Sequence, residues 1–279
     1  MKAGITSCYL NRYGLEKGLE RMAAHGYECM DYQELCHTET ELFTLHETAF
    51  EKELTRIGRT ARAAGIGISQ THGPWRYPIH DHTPEERAER WESMAKGIRG
   101  TAYLGCRYFV IHNIMPFGND DADQAVAREM NRDHFGRLLE VAKAYGVVIC
   151  MENMPFGGQG LARPADMLGF VKEMDSPFMR MCLDTGHAAV FGISPADAVR
   201  LIGKDYLATL HVHDNDGAHD CHWLPYDGVV DWGDFARALQ EIDFGGTVSL
   251  ETSVGNVPEE EREEKEIRLA SICRQLAGK

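Results

Sequence analysis

The sequence predicts an α/β protein that folds as one (β/α)8 barrel, a TIM barrel, in a single domain over residues 1–279. Short apolar runs rich in Val, Ile, Phe and Cys alternate with longer segments of helical spacing. Ionisable side chains close six consecutive apolar runs. The length of 279 residues also suits a barrel, which usually takes about 250 residues as one domain.

The strands are predicted from apolar runs that are continuous rather than alternating, a pattern typical of parallel strands buried on both faces. The clearest runs are residues 108–111 (YFVI) and 147–150 (VVIC). The eight predicted strands cover residues 3–7, 28–32, 66–71, 107–112, 147–152, 179–183, 207–213 and 246–251.

Amphipathic segments separate these runs, and several carry helix-capping signals. Thr83, followed by Pro84 and two glutamates, is typical of a helix start and predicts a helix to about Leu104. Ser194 and Asp231 predict later helix starts in the same way. Further helices are predicted over residues 14–25, 50–64, 125–145 and 258–276, and glycine C-caps at Gly26, Gly65, Gly105, Gly146 and Gly245.

Strands that alternate with helices predict a parallel sheet, which can be open or closed into a barrel. An open doubly wound sheet usually carries a glycine-rich phosphate loop after its first strand. Residues 8–12 (CYLNR) contain no glycine, so closure into a barrel is predicted.

The composition predicts a reduced, cytoplasmic protein. Lys and Arg number 29 against 43 Asp and Glu, a net charge of −14, and this argues against nucleic acid as a partner because DNA affinity depends on basic side chains. None of the eight cysteines forms a Cys-x-x-Cys pair. The first residues lack the apolar core of a signal peptide, and no apolar run is long enough to enter a membrane. A homo-oligomer is compatible with the sequence, which leaves the oligomeric state open.

Barrel active sites lie at the C-terminal ends of the strands, so the residue that closes each strand is a candidate. His72, His112 and Glu152 close the third, fourth and fifth predicted strands and are evenly spaced by 40 residues, as expected of repeated β/α units. The next three strands end in Asp184 with His187, His211 with His213, and Glu251.

A buried carboxylate needs a partner because an unpaired buried charge is costly, and Glu152 and Glu251 each follow an apolar strand. A divalent cation could serve both. Mixed carboxylate and imidazole donors suit Mn²⁺, Zn²⁺, Co²⁺ or Mg²⁺ rather than a thiolate-bound structural zinc. His211 and His213 lie two residues apart in a strand and point to the same side, so at most one is expected to bind the metal directly.

These residues resemble the xylose isomerase-like TIM barrels, a superfamily of sugar and sugar-phosphate isomerases and epimerases that also contains AP endonucleases of family 2. The resemblance covers essentially the whole chain and rests on motifs. In the ketose 3-epimerases and inosose enzymes, strands five to eight supply Glu, Asp, His and Glu to one metal, which implies Glu152, Asp184, His211 and Glu251 here. The family's His-x-x-Asp/Glu pattern favours His211, although His213 begins a similar pattern.

The resemblance also implies roles. Glu152 and Glu251 are expected to remove and return a proton next to a substrate carbonyl that the metal polarises. His187 matches a substrate-binding His, and residues 222–228 resemble the family's His-Leu-Pro-x-Gly-x-Gly loop except at Tyr226, where glycine is usual. Further candidates for substrate binding are His72, Trp75, His112, His213 and His222.

Two classes of enzyme follow from the resemblance. The first is a metal-dependent isomerase or epimerase of a sugar, sugar phosphate or related polyol, although Gly217 stands where the ketose 3-epimerases have a substrate-binding Arg. The second is a multinuclear zinc phosphoesterase, because the AP endonuclease branch adds metal ligands that correspond to His72, His112, His187, Asp220 and His222. A non-catalytic barrel is a third reading, against which the intact ligand set argues. The substrate, the metal and the choice between isomerisation and epimerisation are not readable from the sequence.

Overall fold

In the computed structural model, which describes residues 1–255 and 257–279, eight parallel strands form one sheet that curls into a barrel. The strands are β1 (Lys2–Thr6), β2 (Cys29–Tyr32), β3 (Gly67–His72), β4 (Tyr108–Ile111), β5 (Val148–Glu152), β6 (Met179–Asp184), β7 (Leu207–His211) and β8 (Thr247–Leu250). Each predicted strand agrees with an observed one to within two residues at either end.

The sheet closes on itself because β8 pairs with β1 on one side and is hydrogen-bonded to the chain at the end of β7 on the other. Neighbours in sequence pair in parallel from β1 to β7, and β1 also pairs with β8. Between β7 and β8, the Val212 amide donates to the Ser249 carbonyl at 2.9 Å, and the Glu251 amide donates to the Val212 carbonyl at 3.0 Å. The predicted single (β/α)8 barrel is therefore confirmed, and the carboxyl ends of all eight strands meet at one end of it.

The helices pack around the sheet and bury an apolar core against it. No helix in the described part of the chain is both long and apolar enough to cross a bilayer. A short 3₁₀ helix covers Gln33–Leu35, and the α-helices among the described residues are α1 (Cys8–Tyr13), α2 (Leu15–His25), α3 (Glu41–Thr44), α4 (Glu47–Ala63), α5 (Pro84–Leu104), α6 (Gln124–Tyr145), α7 (Pro164–Glu173), α8 (Thr185–Val190), α9 (Pro195–Tyr206), α10 (Trp232–Glu241) and α11 (Glu259–Leu276).

Most of the helix caps predicted from the sequence are present in the structure. Thr83 and Glu86 form a reciprocal capping box at the start of α5, and the side chains of Ser194 and Asp231 cap α9 and α10. The expected glycine cap at Gly245 is wrong. Helix α10 ends at Glu241, and the left-handed residue that follows is Asp243, with φ of 52°, a conformation that Asp tolerates better than most residues.

Gly58 marks the closest approach between two helices of the outer layer. A Cβ atom at Gly58 in α4 would lie 2.3 Å from the carbonyl oxygen of Leu104 in α5, so no larger residue fits without moving the helix backbone. Gly136 in α6 differs, because a Cβ atom there would meet nothing within 4 Å.

We predict that Gly58→Ala destabilises the fold by about 1–3 kcal/mol through overpacking. Gly136→Ala, the matched control, should instead stabilise the fold by about 0.5–1 kcal/mol because alanine is the better helix former. Urea unfolding of both variants checks this pair. Equal effects of the two substitutions would show that the close contact at Gly58 does not constrain the packing.

Candidate metal centre

Strands β5 to β8 bring four metal-competent side chains together at the carboxyl end of the barrel. Glu152, Asp184 and His211 are the last residues of β5, β6 and β7, and Glu251 directly follows β8. One donor atom from each lies within 4.8 Å of the others. Glu251 is the most open of the four, with 16% of its side chain exposed. We call these four residues the inner group.

The inner group concentrates buried negative charge. In the described part of the chain, Glu152, Asp184 and Glu251 form ion pairs with histidines alone and with no Lys or Arg. Three carboxylates in one buried site repel each other and are costly to desolvate. A divalent cation offsets that cost, and the mixture of carboxylate and imidazole donors suits such an ion. The chemistry of the donor set therefore fits a metal.

Glu152 is surrounded by imidazoles. Its Oε1 lies 2.7 Å from Nδ1 of His211, and its Oε2 lies 3.0 Å from Nε2 of His112 and 3.4 Å from Nε2 of His72. Burial opposes ionisation of this carboxyl, but His211 and His112 outweigh it and hold the pKa of Glu152 well below its ordinary value. Glu152 is thus a carboxylate at neutral pH. His72 and His112, which precede Glu152 at intervals of 40 residues in the sequence, thus both contact its carboxylate.

Glu251 differs from Glu152 in its surroundings. Gln33 Nε2 donates to its Oε1 at 2.8 Å, and Nδ1 of His211 lies 3.2 Å from its Oε2. Burial raises the pKa of Glu251, and the nearby carboxylates of Glu152 and Asp184 raise it further against the opposing effect of His211. The two glutamates therefore have pKa values that are shifted in opposite directions.

A second group of ligand-type side chains, which we call the outer group, consists of His187, His213, Asp220 and His222. Asp220 Oδ2 lies 3.2 Å from Nε2 of His187 and 3.3 Å from Nε2 of His222. Nε2 of His213 lies 3.0 Å from Oδ2 of Asp184, so Asp184 contacts both groups. His211 and His213 are both fully buried, but the first belongs to the inner group and the second to the outer group.

Two histidines of the outer group, His187 and His222, have pKa values that are raised by their acidic neighbours. Burial by itself lowers an imidazole pKa, but Asp184 and Asp220 outweigh burial at His187 and raise its pKa to about 10. The same balance, with Asp220 and Glu251 as the acidic neighbours, raises the pKa of His222 to about 9. Both imidazoles are therefore positively charged at neutral pH in the metal-free protein.

Asp214 fixes the loop that carries Asp220 and His222. Its fully buried carboxylate accepts hydrogen bonds from backbone amides and from the indole of Trp232, the latter at 2.8 Å. One of the amide donors is Tyr226, whose φ of 78° lies in the region that favours glycine. The departure from the family pattern at Tyr226 is therefore a strained residue, which the bond to Asp214 helps to hold.

A cavity of about 470 Å³ opens above both groups. One wall is apolar and aromatic, and it consists of Trp75, Tyr77, Met154, Pro155 and Phe156. In the described part of the chain, no Lys or Arg lines this cavity. The remaining lining residues are Gln33, Cys36, His37, His72, His112, Glu152, His187, Asp220, His222 and Glu251.

The candidate substrate-binding residues differ in whether they line the cavity. His72, Trp75, His112, His187 and His222 line it, whereas the remaining candidate, His213, is fully buried and lies outside the lining. The ring of His213 stacks beneath that of His222, with centroids 4.0 Å apart. We therefore assign His213 to the outer group rather than to substrate contact.

Two polar residues of this region, Gln33 and Asp31, were not predicted from the sequence. Gln33 contacts Glu251, and Asp31 contacts His211. A signal for Asp31 existed, because an Asp inside the short buried strand β2 (CMDY) needs a partner. Gln33 carried no comparable signal, since a glutamine at the end of a strand belongs to no motif.

The comparisons with known proteins point to one family. The chain matches the model of the xylose isomerase-like TIM barrel over residues 19–272. It is 26% identical to an uncharacterised protein of Methanocaldococcus jannaschii over 90% of this chain and 83% of that protein. It is 22% identical to a D-psicose 3-epimerase of Enterocloster bolteae over 91% of this chain and 83% of that enzyme. A probable endonuclease 4 of Haloquadratum walsbyi is 28% identical over 55% of this chain and 59% of that protein.

Solved structures share the fold. A D-psicose 3-epimerase crystallised in the presence of D-fructose matches with a TM-score of 0.77 and 17% identity over 100% of both chains. A D-tagatose 3-epimerase-like protein matches with a TM-score of 0.76 and 22% identity over 100% of this chain and 97% of that one. Likeness at this level of identity concerns the fold alone. The family model covers most of the sequence, and by that match the protein belongs to the xylose isomerase-like TIM barrel family.

Proposed function

We propose that this protein is a metal-dependent epimerase or isomerase that moves a proton next to the carbonyl of a sugar or related polyol. The observation that carries the proposal is the inner group, a buried set of carboxylate and imidazole donors at the floor of a cavity with an aromatic wall. The likeness to proteins named D-psicose 3-epimerase supports a sugar substrate.

The inner group supplies the chemistry that such a reaction requires. A divalent ion held by Glu152, Asp184, His211 and Glu251 would polarise the substrate carbonyl and so acidify the neighbouring C–H bond. Glu152 and Glu251 both line the cavity, and their pKa values are shifted in opposite directions, as expected of two carboxyl groups that divide the roles of base and acid. Glu152 then removes the proton, and Glu251 returns one to the opposite face. The roles exchange in the reverse direction.

The cavity favours a substrate without a phosphate group. A phosphate needs cationic side chains or backbone amides as partners. The described lining offers no Lys or Arg, and its protonated histidines, His187 and His222, are already paired with Asp220. The lining also includes three carboxylates, those of Glu152, Asp220 and Glu251. Trp75 presents an aromatic surface against which the apolar face of a sugar ring can pack. A free sugar or polyol is therefore preferred over a sugar phosphate.

A multinuclear zinc phosphoesterase is the second candidate. The observation that favours it is the outer group together with His72 and His112, which extend the set of ligand-type residues well beyond the needs of one ion. The partial likeness to a probable endonuclease 4 points the same way. The net charge of −14 argues against DNA as the substrate.

Glu152→Gln and Glu251→Gln are each expected to lower kcat by about 10²- to 10⁴-fold, because glutamine can neither accept nor return the proton. Both variants should keep the fold by circular dichroism. Turnover is followed by NMR in D₂O over a panel of ketoses, inososes and sugar phosphates. Glu259→Gln, with a side chain that is 80% exposed and outside the cavity lining, is the matched control and should behave like the parent. Parental turnover by either active-site variant would rule out its role in proton transfer.

Metal binding should tighten as pH rises. In the metal-free chain, burial opposes the charged form of His211, but its neighbours Cys182, Glu152 and Glu251 outweigh burial and hold its pKa well above the ordinary value. The ring therefore carries a proton on both nitrogens at neutral pH. A protonated imidazole cannot ligate, so the ion must displace protons, and affinity falls as pH drops. Calorimetric titration in two buffers of different ionisation heat measures the protons released. An affinity that stays constant between about pH 6 and about pH 8 would contradict the predicted coupling.

Metal analysis of the purified protein distinguishes the two candidate functions. We expect at least one ion per chain, held by the inner group. His222→Ala removes one ligand of the outer group, so an epimerase with a single ion should retain its metal content. A content near three ions that falls in this variant would favour the phosphoesterase.

A further inference from the structure

A buried carboxylate on β2 orients the imidazole of the inner group. Nδ1 of His211 faces Oε1 of Glu152 at 2.7 Å and Oε2 of Glu251 at 3.2 Å. Nε2 of the same ring lies 2.9 Å from Oδ2 of Asp31. The two ring nitrogens thus face different partners, with the ligand carboxylates on the Nδ1 side and Asp31 on the Nε2 side.

This contact selects one tautomer of His211. An ionised carboxylate can only accept a hydrogen bond, so the contact with Asp31 places a proton on Nε2. A neutral ring that is protonated at Nε2 has its lone pair on Nδ1, the nitrogen that faces the rest of the inner group. Asp31 therefore presents the correct nitrogen of His211 to a metal ion.

Asp31 is itself held in place. Nε2 of Gln70 donates to Oδ2 of Asp31 at 3.1 Å and to the carbonyl of Leu210 at 3.2 Å, and Leu210 is the residue before His211. Gln70 thereby connects β2 and β3 to β7 across the barrel interior. Gln70 and Asp31 are both buried, and neither lines the cavity above the inner group.

The cost of Asp31 also indicates a role beyond folding. The residue is fully buried, and its second oxygen, Oδ1, has no hydrogen-bond partner among the described residues. An unsatisfied buried acceptor destabilises a protein, and an apolar residue in this strand would pack without that cost. Among the described residues, the side chain of Asp31 forms hydrogen bonds to His211 and Gln70 alone, and these bonds offset the cost of its burial.

We propose that Asp31 is a positioning residue for the metal centre. It fixes the tautomer and the ring orientation of His211 and makes Nδ1 a stronger electron-pair donor to a metal ion. Asp31 thereby tightens the binding of a divalent cation. The proposal rests on the metal centre of the proposed function, but it does not depend on which reaction the centre performs.

Asp31→Ala should weaken metal binding by about 10- to 100-fold, because the acceptor for Nε2 is lost. Asp31→Asn keeps one acceptor oxygen and removes the charge, so it should have a smaller effect. Affinity is measured directly by titrating Co²⁺ into the metal-free protein. The matched control is Asp81→Asn, which alters another fully buried carboxylate whose Oδ2 accepts a bond from the Met115 amide and which lies outside the inner group. It should bind Co²⁺ as the parent does.

The tautomer of His211 provides a readout that a purely structural role would not change. NMR of ¹⁵N-labelled histidine, recorded on the metal-free protein at a pH high enough for the His211 ring to be neutral, should find Nε2 protonated in the parent and in Asp31→Asn, and a mixture of tautomers in Asp31→Ala. Parental affinity and tautomer in Asp31→Ala would overturn the inference while leaving the proposed function intact. Weakened Co²⁺ binding in a protein that turns over no sugar would support the inference and reject the proposed function. A parent that binds no Co²⁺ would reject both.

Discussion

The mutual repulsion of buried carboxylates at one end of the barrel is the constraint on which the rest of this site depends. Parallel strands all end at the same face, so Glu152, Asp184 and Glu251 are brought together by the topology itself. In the described part of the chain, no Lys or Arg pairs with them. Imidazoles take that place, and unlike a fixed cation they can give up protons and bind a metal ion.

The histidines divide the site into layers. His211 lies between the carboxylates of the inner group and Asp31 beneath them, so one ring joins the candidate metal position to the barrel interior. The outer group lies to one side, where Asp184 contacts His213 and where Asp220 and His222 come from a loop that Asp214 secures. A strained residue in that loop, Tyr226, indicates that the position of the loop is maintained against a local cost.

The same barrel can support either of two chemistries, and the cavity favours one of them. A single ion in the inner group is sufficient for proton transfer next to a carbonyl, whereas the outer group and the imidazoles on Glu152 offer room for more. The aromatic wall around Trp75 and the absence of Lys and Arg from the described lining suit a neutral, polyhydroxylated substrate. The net charge and the lining of the cavity thus support an epimerase or isomerase, whereas the ligand set alone is compatible with either function.

The sequence by itself determined the barrel and most of the polar residues at its mouth. Apolar runs of strand length and a ligand-type side chain after each of six strands are local features, and the rule that strand ends converge turns them into a site. Tertiary structure decided which histidine joins which group, because His211 and His213 project from the same strand end and differ only in their neighbours. It also revealed Asp31 and Gln33, whose partners lie 180 and 218 residues away in the chain. Contacts at such separations arise from closure of the barrel and leave no periodic pattern in the sequence.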